Sequence, residues 1–155
     1  MATRTAPSSM LIRRAVADDV AALSALEQRS FDGDRLSARQ YRRHIMGGRN
    51  LVLVVPRAKA VVGSAVLFVR KHSKVARLYS IAVDRSMRGL GLGAALLAAC
   101  ERHARSLGVN RMQLEVRLDN QPGMALYESC GYERGAQIAC FYEDGAAAWR
   151  YFKSL

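Results

Sequence analysis

The sequence predicts an α/β fold, with a mixed central sheet of about seven strands and about four helices. Three observations predict it. β-rich runs alternate along the chain with periodic segments that carry helix-capping residues. A strand-like run, a glycine-rich turn, an apolar-periodic helix and a second strand follow one another over residues 78–117. That order makes a βαβ unit, whose two strands run parallel with a right-handed crossover. Finally, 155 residues of which 50% are hydrophobic suffice for one substantial core. Residues 10–155 are therefore expected to form a single domain after a flexible tail over residues 1–9.

Taken in order, Leu11 to Arg14 is expected to be a short first strand. A helix from about Asp18 to Phe31 follows, with Asp18 as its cap and Val20, Leu23 and Leu26 on its apolar face. Ser37 with Gln40 three positions later is a capping-box pattern, and the helix it opens ends at Gly47-Gly48. Asp32-Gly33-Asp34, between these helices, is a candidate substrate-facing loop. Leu51 to Val55 and Ala60 to Val69 predict a hairpin, and Val75 to Val83 a further strand. Leu92, Leu96, Ala99, His103 and Leu107 fall at helical spacing, so His103 reads as a helix-face residue, and Gly108 ends the helix. Arg111 to Arg117 is the next strand. Asn120 caps a short helix over Met124 to Ser129, with Pro122 in its first turn and Gly131 as its stop. Gln137 to Tyr142 and Ala147 to Phe152 complete the pattern as a hairpin around Glu143-Asp144-Gly145.

The turn Arg88-Gly89-Leu90-Gly91-Leu92-Gly93 carries the most chemistry. Alternating glycines let the main chain approach a ligand closely, and the helix that begins there offers unpaired N–H donors at the positive end of its dipole. Such a site suits a phosphate. A nucleoside-triphosphate loop would need a Gly-Lys-Ser/Thr ending, which is absent. Gly89, Gly91 and Ala94 fit a dinucleotide fingerprint, but no acidic residue stands in Val109-Asn110-Arg111-Met112-Gln113, where that fingerprint requires one. Coenzyme A pyrophosphate is the remaining candidate.

Bulk properties narrow the classes further. Cys100, Cys130 and Cys140 lack C-x-x-C spacing and lie among apolar neighbours, which reads as packed, reduced thiols in a cytoplasmic protein. No metal site is expected, and no apolar run approaches the ~18 residues that span a bilayer. The formal charge of +11 draws in polyanions, but the arginines are scattered and no strand carries the aromatic pattern of an RNA-recognition sheet. A solvated basic surface is expected, without specific nucleic-acid binding or membrane association.

The element order, R-x-x-G-x-G at Arg88 to Gly93, and Asn120 followed by Ala125-Leu126-Tyr127 and Gly131-Tyr132 resemble the GNAT superfamily of N-acetyltransferases. Within it, Ile81-Ala82-Val83-Asp84, Leu114-Glu115-Val116-Arg117 and Ala125 to Ser129 are similar to the bacterial ribosomal-protein-alanine N-acetyltransferases. The resemblance implies the GNAT fold, with splayed parallel central strands, and acetyl-CoA as co-substrate. It assigns the main chain of Ile81, Ala82 and Val83 to the pantetheine arm. Arg88 opens the pyrophosphate loop formed by Gly89, Leu90, Gly91, Leu92, Gly93 and Ala94. Asn120 holds the cofactor's arm near the thioester, and Tyr127 lies against it. The sequence departs from that subfamily where Asp32-Gly33-Asp34-Arg35 follows Phe31 in place of a Pro-Trp pair, and at Ala146-Ala147-Ala148, where an acidic residue is usual. Both regions face the acceptor in relatives.

Direct transfer sets two proton requirements. An amine attacks a thioester only as its free base, and an α-ammonium with pKa ~8 is mostly protonated at neutral pH. Glu115 is the candidate that removes this proton through a water, with an ion pair to Arg117 or Arg111 as the alternative. Tyr127 is the candidate general acid toward the departing thiolate, and a main-chain N–H near Val83 the oxyanion donor. The expected activity is acetyl transfer to a primary amine, foremost a protein or peptide N-terminus, by a monomer or homodimer. The alternatives are a small-molecule amine, amino-acid or dipeptide acetyltransferase, and a non-catalytic coenzyme A-binding or nucleic-acid-associated module. Glu115 and Tyr127 argue against the last.

Overall fold

The structure, a computed structural model, describes residues 10–155; the tail expected over residues 1–9 lies outside the described residues. Among the described residues seven strands form one sheet in the order β1-β2-β3-β4-β5-β7-β6. They are β1 (Arg13–Arg14), β2 (Leu51–Arg57), β3 (Ala60–Val69), β4 (Val75–Val83), β5 (Arg111–Arg117), β6 (Glu133–Ile138) and β7 (Ala148–Ser154). The helices are α1 (Val20–Ser30), α2 (Ala38–Met46), α3 (Leu92–Ser106) and α4 (Gln121–Ser129). Only β4 and β5 pair in parallel, as the βαβ pattern requires; every other neighbour is antiparallel.

Two cores sit on the two faces of this sheet. On one, Leu92, Leu96, Leu97, Cys100 and Ala104 of α3 and Met124 of α4 pack against Met112, Leu114 and Val116 of β5. On the other, Val20, Leu23 and Leu26 of α1 and Tyr41 of α2 pack against Val52, Val54 and Val66. The alternation of β5 turns Gln113, Glu115 and Arg117 to the face opposite α3. Glu27 of α1 is buried, yet both its oxygens are used: Oε1 accepts from the Leu36 N–H at 2.9 Å and Oε2 from the Tyr41 hydroxyl at 2.6 Å. The carboxylate thereby fixes the α1–α2 loop to both helices.

Several elements are as expected. The Ser37–Gln40 capping box is formed in both directions, at 3.1 and 2.7 Å. β3, β4 and β5 have the predicted bounds, and Gly108 adopts φ 76° just beyond α3. Four expectations need correction. Asp18 does not cap α1; Asp19 does the local work, accepting from the Val16 N–H at 2.7 Å and from Arg13 at 2.7 and 3.0 Å. The first strand keeps only Arg13–Arg14. The final hairpin begins earlier than predicted, because β6 is Glu133–Ile138 and not Gln137 to Tyr142, so residues 139–147 form a loop. Cys140 is exposed with φ 51°, unlike buried Cys100; all three thiols are unpaired.

Candidate active site

β4 and β5 pair from Val75↔Arg111 only as far as Leu78↔Leu114, while β4 continues to Val83 and β5 to Arg117. A gap opens between them there. Val66 of β3 faces Ser80 and Leu67 faces Leu78, so Tyr79 is a bulge residue on β4 at the mouth of the gap. The Asp84 N–H donates to the Val62 carbonyl at 2.8 Å, toward β3. Alternation along the strand then turns the main-chain groups of Ile81 and Val83 away from β3 and into the gap. The Val83 carbonyl accordingly accepts from Arg88 Nε at 3.4 Å. That contact folds Arg88 back over the end of β4, at the entry to the glycine turn.

The three glycines of the turn do different jobs. Gly89 and Gly91 adopt φ 77° and 79°, the left-handed region that disfavours a Cβ, and a side chain at either would meet no protein atom within 4 Å. Gly91 caps α3, whose first bond runs from the Ala95 N–H to the Gly91 carbonyl at 3.1 Å. The N–H groups of Leu92, Gly93 and Ala94 therefore precede the helical ladder, aimed out of the N-terminus where an anion is favoured. Gly93 has no such φ. A Cβ there would meet Leu126 Cδ2 at 3.0 Å, so this glycine lets α3 lie close against α4.

α4 is started by Asn120, whose Oδ1 accepts from the Gly123 N–H at 3.0 Å. This leaves its Nδ2 to donate elsewhere. Tyr127 is partly buried against the α3-side core, with Tyr132 and Tyr151 ring centroids at 6.1 and 6.3 Å. Its hydroxyl makes no hydrogen bond to another described residue, and burial, with smaller contributions from Tyr142, Cys100 and Cys130, pushes the phenol's proton affinity up. His103 is a clasp between elements, its Nδ1 at 3.2 Å from Arg14 Nη2 and its Nε2 at 3.2 Å from the Arg49 carbonyl.

Glu115 is the first β5 residue beyond the paired stretch, and its side chain is only 3% exposed. Its ion-pair partners are not Arg117 or Arg111. Arg77 Nε donates to Oε2 at 3.0 Å, and Arg150 Nε and Gln113 Nε2 donate to Oε1 at 3.2 and 2.9 Å. Three of about four acceptor positions on the carboxylate are thus filled, leaving one on Oε2. Arg117 instead binds Asp144 at 2.6 Å, and Arg111 lies over the Phe152 ring at 3.9 Å. Glu115, Arg77 and Arg150 line a cleft of ≈ 380 Å³ with Arg70, Phe68 and Phe141. Beside it the α1–α2 and β6–β7 loops are joined. Asp34 accepts from the Glu143 N–H at 3.3 Å, and Glu143 Oε2 accepts from the Asp34 N–H at 3.4 Å.

Sequence reasoning did not single out Arg70, Arg77 or Arg150. The available signal was Arg77 itself, a charged residue within the β-rich run Val75 to Val83. Among the described residues no group of three or more His, Cys, Asp or Glu is placed to hold a metal, and no helix is long and apolar enough to cross a membrane.

In solved structures, the ribosomal-protein-alanine N-acetyltransferase of Escherichia coli superposes with a TM-score of 0.79 at 28% identity, covering 93% of this chain and 92% of that one. An uncharacterised Mycobacterium leprae protein is 33% identical over 84% of this chain, and a mycothiol acetyltransferase of Kocuria rhizophila 46% identical over 37% of it. The chain spans only 37% and 19% of those two relatives' lengths. The model of the acetyltransferase (GNAT) family matches residues 20–132, which contain the gap, the glycine turn, Asn120 and Tyr127. With the seven-stranded sheet splayed between its parallel strands, that match makes this chain a member of the GNAT acetyltransferase family.

Proposed function

We propose that the protein transfers acetyl from acetyl-CoA directly to a primary amine, foremost the α-amine of a protein or peptide. The observation that carries this reading is the left-handed turn at Gly89 and Gly91, which frees the N–H groups opening α3 beside the gap between β4 and β5. A pyrophosphate fits that helix end, and a pantetheine arm extending from it would pair with the main chain of Ile81 and Val83 as a short added strand. Asn120 Nδ2 is the side-chain donor for the arm.

In this reading the amine nitrogen attacks the thioester carbon, and the oxyanion that forms is met by the Val83 N–H. As the C–S bond breaks, Tyr127 donates its hydrogen bond to the sulfur and supplies the proton that makes the free thiol. Its raised proton affinity means that this donor is never lost at working pH. Glu115 takes the amine's proton through a water bound at its one open position on Oε2, while the two arginines hold the carboxylate in place.

A small amine is the second reading. It is supported by the similarity to a mycothiol acetyltransferase and by the Asp32-Gly33-Asp34-Arg35 loop, which stands where the ribosomal-protein-alanine N-acetyltransferases that the sequence resembles usually carry a Pro-Trp pair. Mass spectrometry of acetyl transfer against N-terminal peptides, lysine peptides and small amines tests both. Transfer to N-terminal peptides is expected to dominate; preference for free small amines would replace the first reading by the second, and transfer to none would remove both.

A further inference from the structure

We infer that the acceptor carries a carboxylate beside its reacting amine, and that Arg70, Arg77 and Arg150 receive it in the cleft next to Glu115. This rests on the acetyl-transfer reading and specifies its substrate class. The cleft holds three guanidiniums against one carboxylate, a surplus of two positive charges. Arg77 and Arg150 each spend only Nε on Glu115. Their terminal Nη groups donate to no acceptor among the described residues, although both side chains remain a third or more exposed, at 39% and 33%. Arg70 stands at the rim, also without a side-chain partner among the described residues.

Glu115 holds two like charges on its two oxygens through Nε alone and leaves their Nη donors unspent. Guanidiniums with free Nη donors lining one cleft are suited to receiving a second carboxylate. The walls fit an organic body. Phe68 and Phe141 flank the cleft, and Arg77 lies 5.8 Å from the Phe141 ring centroid and 5.7 Å from that of Tyr79, held against aromatic faces instead of sweeping through solvent. Because Glu115 also marks the start of the gap between β4 and β5, an acceptor whose amine reaches the thioester can place an anionic group in the cleft.

Two sources of that carboxylate are separable: an acidic side chain near a peptide's N-terminus, and the free α-carboxylate of a small amino acid. The experiment compares kcat/KM for C-terminally amidated peptides bearing Asp or Glu, against Asn or Gln, at the second and third positions. In parallel it compares free amino acids with their amides. In one arm or both, the carboxylate form is expected to be favoured by roughly tenfold or more, the scale of charge-assisted hydrogen bonds. Arg70→Gln should shrink that ratio through KM, and Arg70→Lys should restore part of it. Preference in the first arm assigns the acidic peptide, and in the second the small amino acid. Robust transfer with ratios near one in both arms would overturn the inference while leaving the acetyltransferase reading intact. No transfer to any amine would remove that reading, and this one with it.

Discussion

Tyr127 and Glu115 are both withdrawn from water, and their substitutions should differ in kind. Burial raises the phenol's proton affinity above its ordinary value. A group whose pKa is raised keeps its proton until the pH passes that higher value, so Tyr127 contributes no falling limb to kcat below about pH 10, the unperturbed phenol pKa. Tyr127→Phe removes only the hydroxyl. Stopped-flow and equilibrium titration should show acetyl-CoA affinity retained while kcat falls by ~10² or more; near-normal turnover would take Tyr127 out of the mechanism. For Glu115→Gln, the deficit in kcat/KM is expected to be largest near pH 6 and to shrink toward about pH 9.5, as free α-amine accumulates without help. A deficit of the same size at every pH would assign the carboxylate to holding Arg77 and Arg150 and nothing more.

At the scale of elements, the proposed reading gives the glycine turn to the acetyl donor and the joined loops to the acceptor. Gly91→Val puts a β-branched residue at φ 79°, and the space around it is empty of protein, so the cost is backbone strain and obstruction of the ligand, not a clash with the fold. Calorimetry should find coenzyme A binding weakened by about 1–3 kcal/mol in a folded variant, and unchanged affinity would reject the turn as the pyrophosphate site. Within the joined loops, Asp34 has φ 54° and its carboxylate holds the β6–β7 loop. Asp34→Gly keeps that backbone conformation but releases the loop, so KM for the amine should rise with coenzyme A affinity unaltered. The geometry of the glycine turn and of the α4 cap was legible in the sequence because it is local: glycines, Asn120 and Pro122 act on their immediate neighbours. The surroundings of Glu115 were not. Glu115 meets Arg77 and Arg150 across strands β4 and β7, and no spacing along the chain reveals that β7 inserts between β5 and β6. β6 itself was placed late for a physical reason. It is an edge strand with an exposed surface, so its sequence lacks an apolar run, whereas the aromatic Phe141-Tyr142 pair that resembles a strand belongs to the loop at the cleft.

For the whole molecule, the net charge of +11 is spread over separate surfaces. Exposed Arg39, Arg42 and Arg43 stand on α2, Arg70, Lys71 and Lys74 in and beside the β3–β4 turn, and Arg102 and Arg105 on α3. A field of this sign speeds the approach of any polyanion, coenzyme A included, but a site differs from a field in how it responds to salt. Side chains that neutralise phosphates along a nucleic acid release counterions, and six to ten such contacts lose ~10³–10⁵ in affinity between ~50 and ~200 mM salt. Main-chain N–H groups at the start of α3 release few, because the donors are dipoles fixed by the fold. Raising salt over that range should therefore abolish binding of a random single-stranded RNA while weakening coenzyme A binding far less, when both are measured by titration on the same protein. Sequence-selective RNA binding that survives ~200 mM salt would show instead that some of these arginines form a built nucleic-acid site. An equally steep loss for coenzyme A would mean that side-chain charge, and not the glycine turn, holds the cofactor.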